Sequence, residues 1–230
     1  MSKNLCITLF ISFLGILRVS GNISGPRNKT DLFSVIFTEN DLDTWDPPKE
    51  LKKAFPYYWS GFDEDCRPIW VGELGKWDLS KYISKGESSL KAMQKLIHQG
   101  FYRLFVSIND TPPGCQPATQ IAVIYDADGF NYNQVIHGQV ISFFLNVFRV
   151  YIPLFLQYME SIYFVNTNFM FKGLVEVARP ISGSLMERVE VYGPNKSLWL
   201  PKLLKKLPRD QLSPKYGGNK DFKPIKSYNY

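Results

Sequence analysis

Apolar positions divide most of the chain into short strand-like runs and longer stretches with helical spacing. Residues 88–105 carry apolar side chains three and four positions apart, which predicts an amphipathic helix. Short apolar runs at residues 120–125 and 162–165 are typical of buried strands, and residues 188–192 alternate between charged and apolar types, as a final strand would. Strands that alternate with helices in this way predict an α/β layered fold.

The most apolar part of the chain lies between two of these strands. Residues 135–147 and 150–158 predict two helices with a bend at Pro153. Polar side chains within both segments indicate a pair of core helices rather than a membrane span. Residues 169–178 predict a further helix that ends before Pro180, because a residue preceding proline disfavours helical backbone.

Basic residues are concentrated at the C-terminal end. The whole chain has a net charge of +6, and residues 196–230 carry nine basic and two acidic residues, a net +7. Within them, residues 200–207 predict a basic amphipathic helix, whose Lys202, Lys205 and Lys206 are candidates for docking to a membrane. A basic end suits phosphate, and since no nucleic-acid module accompanies it, we expect a membrane surface and no nucleic acid as partner. A solvated lysine edge is the alternative.

The first 21 residues have the pattern of a secretory signal peptide. Lys3 precedes an apolar run at residues 5–17, which is too short to span a bilayer and is followed by small residues that suit signal peptidase. The chain is therefore expected to be secreted or to enter the secretory pathway, with the cytoplasm as alternative. Removal of residues 1–21 leaves Cys66 and Cys115, an even number that suits an oxidising compartment, although the sequence does not show that they pair.

Signatures of catalysis are sparse. The chain has no G-x-S-x-G nucleophile motif, and residues 72–76 are too short for a phosphate-binding loop. The turn that begins at Asp126 resembles a calcium loop, but its glycine and its last acidic position do not fit. His98 and His137 lie far apart on predicted helices, so the chain offers few ligands for a metal site. We therefore expect no enzyme, cofactor or metal; Asp126 and Asp128 are the only close acidic pair that an enzyme could use.

Six blocks of sequence resemble, in family order, the CRAL-TRIO lipid-binding domain. They are FPYY and GFD (55–63), RPIW and GKWD (67–78), IYDADGF (124–130), IYFVN (162–166), RPI (179–181) and LSPKYGG (212–218). The resemblance implies a CRAL-TRIO-like α/β fold, in which a mixed β-sheet floors an apolar pocket, with helices behind and a gate helix in front. It also implies the division of the chain: signal peptide 1–21, lead-in 22–54, lipid-binding domain 55–218 and basic tail 219–230.

The function implied by the resemblance is the binding of one hydrophobic ligand, such as a phospholipid, tocopherol or retinoid, and its transfer between membranes. The protein would act as a monomer that touches the membrane transiently. The alternatives are an enzyme that acts on a lipid in the same cavity, and an interaction or signalling domain whose pocket is filled by side chains.

The same resemblance supplies the expected lipid-binding residues. They are Trp70, Ile124, Phe143, Phe144, Tyr163, Val165, Phe169, Phe171, Leu174, Val175 and Arg188. Phe169, Phe171, Leu174 and Val175 belong to the expected gate helix, whose hinge is expected near Gly173 or Pro180. In relatives that transfer phosphatidylinositol, a Glu and a Lys hold the inositol phosphate. Gln157 stands at the position of the Glu and Arg188 at the position of the Lys. The positive charge is therefore kept and the negative charge is lost.

Overall fold

The computed structural model describes residues 29–135 and 138–228, so the predicted signal peptide lies outside the described residues. The chain divides into two compact units, Met1–Glu39 and Asn40–Tyr230. The described part of the first unit contains helix α1 (Lys29–Ile36). Every element discussed below belongs to the second unit.

A six-stranded mixed sheet forms the centre of the second unit. Its strands lie in the order β5-β4-β3-β2-β1-β6; β2 to β5 are parallel, and β1 is antiparallel to both of its neighbours. The bounds are β1 Tyr57–Phe62, β2 Pro68–Gly72, β3 Ile121–Asp126, β4 Met159–Val165, β5 Val189–Val191 and β6 Lys226–Ser227. Because the central parallel strands are covered on both faces, their sequences are nearly continuous apolar runs. The predicted α/β class with a mixed sheet is confirmed.

Six helices surround this sheet in the described part of the unit. They are α2 Lys49–Ala54, α3 Leu79–Ser84, α4 Glu87–Val106, α5 Gly138–Tyr158, α6 Phe169–Ser182 and α7 Lys196–Lys206. The helix predicted over residues 88–105 is α4. Short 3-10 turns fill several of the connections, including Gly183–Arg188 between α6 and β5.

Two helix predictions were wrong in the same way. The two helices expected over residues 135–147 and 150–158 form one continuous helix, α5, which runs through Pro153, and α6 runs through Pro180 to Ser182. Proline lacks one backbone donor and crowds the preceding turn. Both prolines lie on solvent-exposed sides of their helices, where carbonyl groups that lose a helical partner can bond to water.

The two faces of the sheet are covered differently. On one face, here called the back face, α7 and the C-terminal segment pack against alternate strand residues such as Ile124 and Val165. Leu203 of α7 and Leu207 just after it are buried in the same cluster, Leu200 and Leu204 pack against it, and Leu198 is 65% exposed. The helix predicted over residues 200–207 therefore packs its four leucines on the sheet. The opposite face of the sheet, here called the cavity face, lies under α4, α5 and α6.

A disulfide bond joins the two cysteines whose pairing the sequence left open. Cys66 follows β1 in a turn, Cys115 lies in the loop after α4, and their Cα atoms are 5.9 Å apart. This separation is ordinary for a disulfide. The third cysteine, Cys6, lies outside the described residues.

Candidate ligand-binding cavity

An apolar cavity of about 110 Å³ lies between the cavity face of the sheet and the helices above it. Strands β3, β4 and β5 form its floor through Tyr125, Met159, Ile162, Phe164 and Val189. Helices α5 and α6 and the turn after α6 supply most of the remaining wall, including Ile141, Phe148, Phe155, Ala178, Leu185 and Met186. Ile97 and Phe101 of α4 complete it at one side. All of these lining side chains are aliphatic or aromatic.

The strand residues at the cavity are one position away from those expected to bind the lipid. The expected residues, which are Ile124, Tyr163 and Val165, belong to the core of the back face. Their chain neighbours Tyr125, Ile162 and Phe164 line the cavity instead. Successive strand side chains point to opposite faces, so an error of one position moves a residue to the other side of the sheet. Odd-numbered and even-numbered positions of these strands are both apolar, so the sequence does not indicate which residues point to the cavity face.

Five of the predicted helix residues do line the cavity. Phe143 and Phe144 face it from α5, and Phe171, Leu174 and Val175 face it from α6. The spacing of three and four positions places Phe171, Leu174 and Val175 on one side of α6, whereas Phe143 and Phe144 are consecutive in α5. The structure therefore brings together the aromatic and aliphatic residues that the resemblance assigned to α5 and α6.

Two other predicted residues lie elsewhere. Trp70 borders a second, smaller cavity of about 40 Å³, and its indole Nε1 donates to the Ser107 hydroxyl at 2.9 Å. The two cavities share four lining side chains, which are Trp77, Ile97, Phe101 and Tyr125. Phe169, at the start of α6, does not line either cavity and is 83% exposed to solvent. It is the most exposed large apolar side chain among the described residues.

Arg188 does not present a free guanidinium to a phosphate. Its Nη1 donates to the backbone carbonyls of Leu156 and Met159, at the junction of α5 and β4. The last carbonyls of a helix lack partners within the helix and attract cationic donors. Arg188 therefore satisfies the C-terminal end of α5 through Nη1, and its phosphate-binding role stays a prediction.

The start of α6 is firmly attached to the sheet. The Asn168 side chain accepts from the backbone N–H groups of Met170 and Phe171, at 3.1 and 3.0 Å, and so caps the helix. Its amide nitrogen also donates to the Phe130 carbonyl. The Phe171 ring packs 5.2 Å from the Phe130 and Phe164 rings. These contacts fix the first turn of α6, while Phe169 projects into solvent.

The acidic pair Asp126 and Asp128 is not part of the cavity lining. Asp126 is buried at the end of β3, where its carboxylate accepts from the Lys215 ammonium at 2.6 Å and from the Asn166 amide at 2.8 Å. Burial would raise the pKa of Asp126, but these hydrogen bonds outweigh it and lower the pKa. Asp128 is exposed, with 67% of its side chain accessible. The pair stabilises the attachment of the C-terminal segment and is not arranged for acid–base work on a cavity ligand.

Helix α5 is long and apolar enough, by length and composition, to cross a membrane. Only 22% of its most apolar window is buried within the protein. Much of the remainder is explained by the cavity, because seven α5 side chains face it. The place of α5 in the cavity wall thus accounts for part of its apolar character.

A mixed α/β sheet that carries an enclosed apolar cavity beneath two helices defines a ligand-enclosing domain. The family model described as the CRAL/TRIO domain matches residues 52–218. Since this match covers well over half of the chain, the protein belongs to the CRAL/TRIO domain family.

Curated relatives agree with this assignment. The chain is 24% identical over 195 residues to the SEC14 cytosolic factor of Eremothecium gossypii, covering 80% of this chain and 60% of that protein. It is also 24% identical over 187 residues to a CRAL-TRIO domain-containing protein of Saccharomyces cerevisiae, covering 78% and 57%. The chain thus spans about three fifths of the length of the curated relatives that it matches.

A solved structure shows the same fold. The crystal structure of Sfh5 aligns with a TM-score of 0.51 at 12% sequence identity, over 98% of this chain and 79% of that one. At this identity, the likeness concerns the fold alone.

Proposed function

We propose that this protein binds one hydrophobic lipid molecule per chain in the cavity and carries it between membranes as a monomer. The observation that carries the proposal is the composition of the cavity wall: within the described residues, no charged side chain lines it. The described lining has no carboxylate, histidine, cysteine or lysine, and the hydroxyl of Ser182 is bonded to the Ala178 carbonyl rather than to a base. This supports a carrier in preference to a lipid-acting enzyme.

The energetic basis is the removal of hydrocarbon from water. A lipid that leaves a bilayer alone exposes chains whose hydration costs about 0.8 kcal/mol per CH₂ group. Enclosure beneath α5 and α6 removes this cost during transit. A cavity of about 110 Å³, rather than a core filled by side chains, supports a carrier over an interaction domain that has lost its pocket. A cavity of ~150 Å³ holds only a benzene-sized molecule, so the helices above the cavity have to move outward to admit a lipid chain.

We infer that α6 is the element that moves at the membrane. Phe171, Leu174 and Val175 face the cavity from this helix, while Phe169 projects into solvent and Val177, which also lines the cavity, is half exposed. Such a helix can exchange its cavity contacts for contacts with lipid chains. Lys202, Lys205 and Lys206 would add attraction to anionic headgroups from α7, which Leu203 anchors to the back face.

We further propose that the protein acts in the secretory pathway. The bond between Cys66 and Cys115 supports this, because disulfides persist in oxidising compartments and are rare in the cytosol. The competing assignment is the cytoplasm, which the name of one relative, the SEC14 cytosolic factor, favours. The redox state of the two cysteines in protein from cells separates these assignments.

The proposed carrier function is tested by filling the cavity. Leu174→Trp places a bulky indole on the cavity side of α6, and Lys172→Trp is the matched control on the exposed side of the same helix. After incubation with mixed liposomes, we expect native mass spectrometry to find one lipid on the wild type and on Lys172→Trp, and at least a tenfold lower occupancy on Leu174→Trp. A wild type that recovers no lipid would contradict the proposal, as would equal occupancy of both variants.

A further inference from the structure

One polar group in the cavity wall has no protein partner. Among the described lining side chains, Ser182 donates to the Ala178 carbonyl at 2.8 Å, and the Trp77 indole donates to the Pro56 carbonyl at 3.3 Å. The hydroxyl of Tyr125 makes no hydrogen bond to any residue that the structure describes. Tyr125 is half-buried and borders the cavity, and its hydroxyl is not among the fully buried polar atoms, so a molecule in the cavity can reach it as a partner.

The ring of Tyr125 is held in place by the sheet. It stacks on the Phe164 ring at 5.4 Å with an interplanar angle of 20°. On the neighbouring strand, Gly72 pairs with Tyr125, and a Cβ atom at this glycine would lie 3.0 Å from two carbons of the tyrosine ring. The absence of a side chain at Gly72 therefore lets the ring lie close to β2. Tyr125 borders both cavities and so separates the larger space from the smaller one.

The hydroxyl is a donor at every physiological pH. Burial raises the pKa of Tyr125, because the phenolate would be poorly solvated at this position. A neutral phenol in an apolar wall can donate one hydrogen bond and accept others, and it repels neither a neutral lipid nor its oxygen atoms. By contrast, the described lining holds no cation that could accompany a phosphate, and Arg188 is engaged by backbone carbonyls.

On the basis of the proposed carrier function, we propose that the Tyr125 hydroxyl bonds to an oxygen of the enclosed molecule. The cavity would then select neutral lipids that carry a hydroxyl or carbonyl group at their buried end, in preference to hydrocarbons and to phospholipids that enter headgroup first. A ligand without such an oxygen leaves the hydroxyl unpaired in the cavity, which typically changes binding about tenfold or more.

The test compares two probes of equal size on two proteins that differ by one oxygen atom. Phosphatidylcholine vesicles carry equal amounts of 1-hexadecanol and heptadecane, each with seventeen heavy atoms, and the re-isolated protein is extracted and analysed by gas chromatography and mass spectrometry. We expect the bound alcohol-to-alkane ratio to be about ten times higher for the wild type than for Tyr125→Phe. The ratio for Tyr132→Phe, which removes a hydroxyl from an exposed ring outside both cavities, should equal that of the wild type.

The outcomes separate this inference from the proposed function. An equal ratio for wild type and Tyr125→Phe, with both probes bound, overturns the role of Tyr125 and leaves the carrier function intact. Recovery of phosphatidylcholine in place of both probes also overturns the selection of neutral lipids, while it supports a carrier. If the wild type extracts no lipid of any kind, both proposals fail.

Discussion

The Tyr216 hydroxyl donates to the buried carboxylate of Asp126 at 2.8 Å, although ninety positions separate the two residues in the chain. The Lys215 ammonium contacts the same carboxylate oxygen at 2.6 Å. Together these contacts attach the C-terminal segment to the end of β3. This segment belongs to the core of the back face, so the attachment holds the sheet in the form that floors the cavity.

Asp126→Asn is expected to lower the free energy of unfolding by about 2–4 kcal/mol at pH 7, since it leaves Lys215 and Tyr216 without their charged acceptor. The pKa of Asp126 is lowered in the folded state, so its contribution is present above the unfolded pKa of about 4 and is lost as the pH falls through the folded value. The difference between wild type and variant should therefore shrink in acid. Urea denaturation between pH 2 and pH 8 measures it.

Asp128→Asn is the control for this prediction. Asp128 is exposed, and its carboxylate lies 3.6 Å from the Lys215 ammonium, so its removal should cost no more than about 1 kcal/mol. A loss for Asp126→Asn that is as small as that of Asp128→Asn, or that does not change with pH, would contradict the role assigned to the buried pair.

Phe169→Ser is expected to slow lipid transfer between vesicles about tenfold without a change in lipid content. The exposed ring would lose the gain of entering the hydrocarbon layer, which is worth roughly 1.5–3 kcal/mol for a fully buried Phe. Stopped-flow transfer of a fluorescent lipid measures the rate. Leu198→Ser, on the exposed part of α7, is the matched control and should keep the wild-type rate. If both variants slow transfer equally, α6 has no special role in docking.

Replacing Lys202, Lys205 and Lys206 with Gln is expected to weaken binding to anionic vesicles by up to about two decades at low ionic strength. The effect should largely disappear at high salt, because the lysines are exposed and act through screened attraction. Vesicle co-sedimentation at two salt concentrations measures it. A control variant with Gln at the exposed Lys49, Lys53 and Lys85 has the same net charge. Identical binding of both variants at low salt would assign these lysines to a solvated edge.

Cys66→Ser combined with Cys115→Ser is expected to lower the free energy of unfolding by about 2–4 kcal/mol, since the bond closes a loop across 49 positions of the chain. Chemical denaturation measures the loss, and wild type treated with reductant should match the double variant. Thiol labelling of protein taken directly from cells tests the compartment. Two free thiols in that protein would count against the secretory pathway.

The sequence by itself determined the α/β order of strands and helices, and six blocks in register identified the family. These features are local: apolar runs, helical spacing and turn residues depend on near neighbours in the chain. Phe143 and Phe144 of α5 and Phe171, Leu174 and Val175 of α6 could also be expected at the cavity, because the resemblance assigned them to the ligand.

Only the tertiary structure decided which side of each strand meets the ligand. Both faces of this sheet are buried, so Ile124 and Tyr125 both lie within an apolar run of the sequence. The sequence therefore does not indicate which of the two points to the cavity. The same holds for Arg188 and for the leucines of α7: whether a cation meets a phosphate or a carbonyl, and whether leucines meet lipid or protein, depends on what the rest of the chain packs against them.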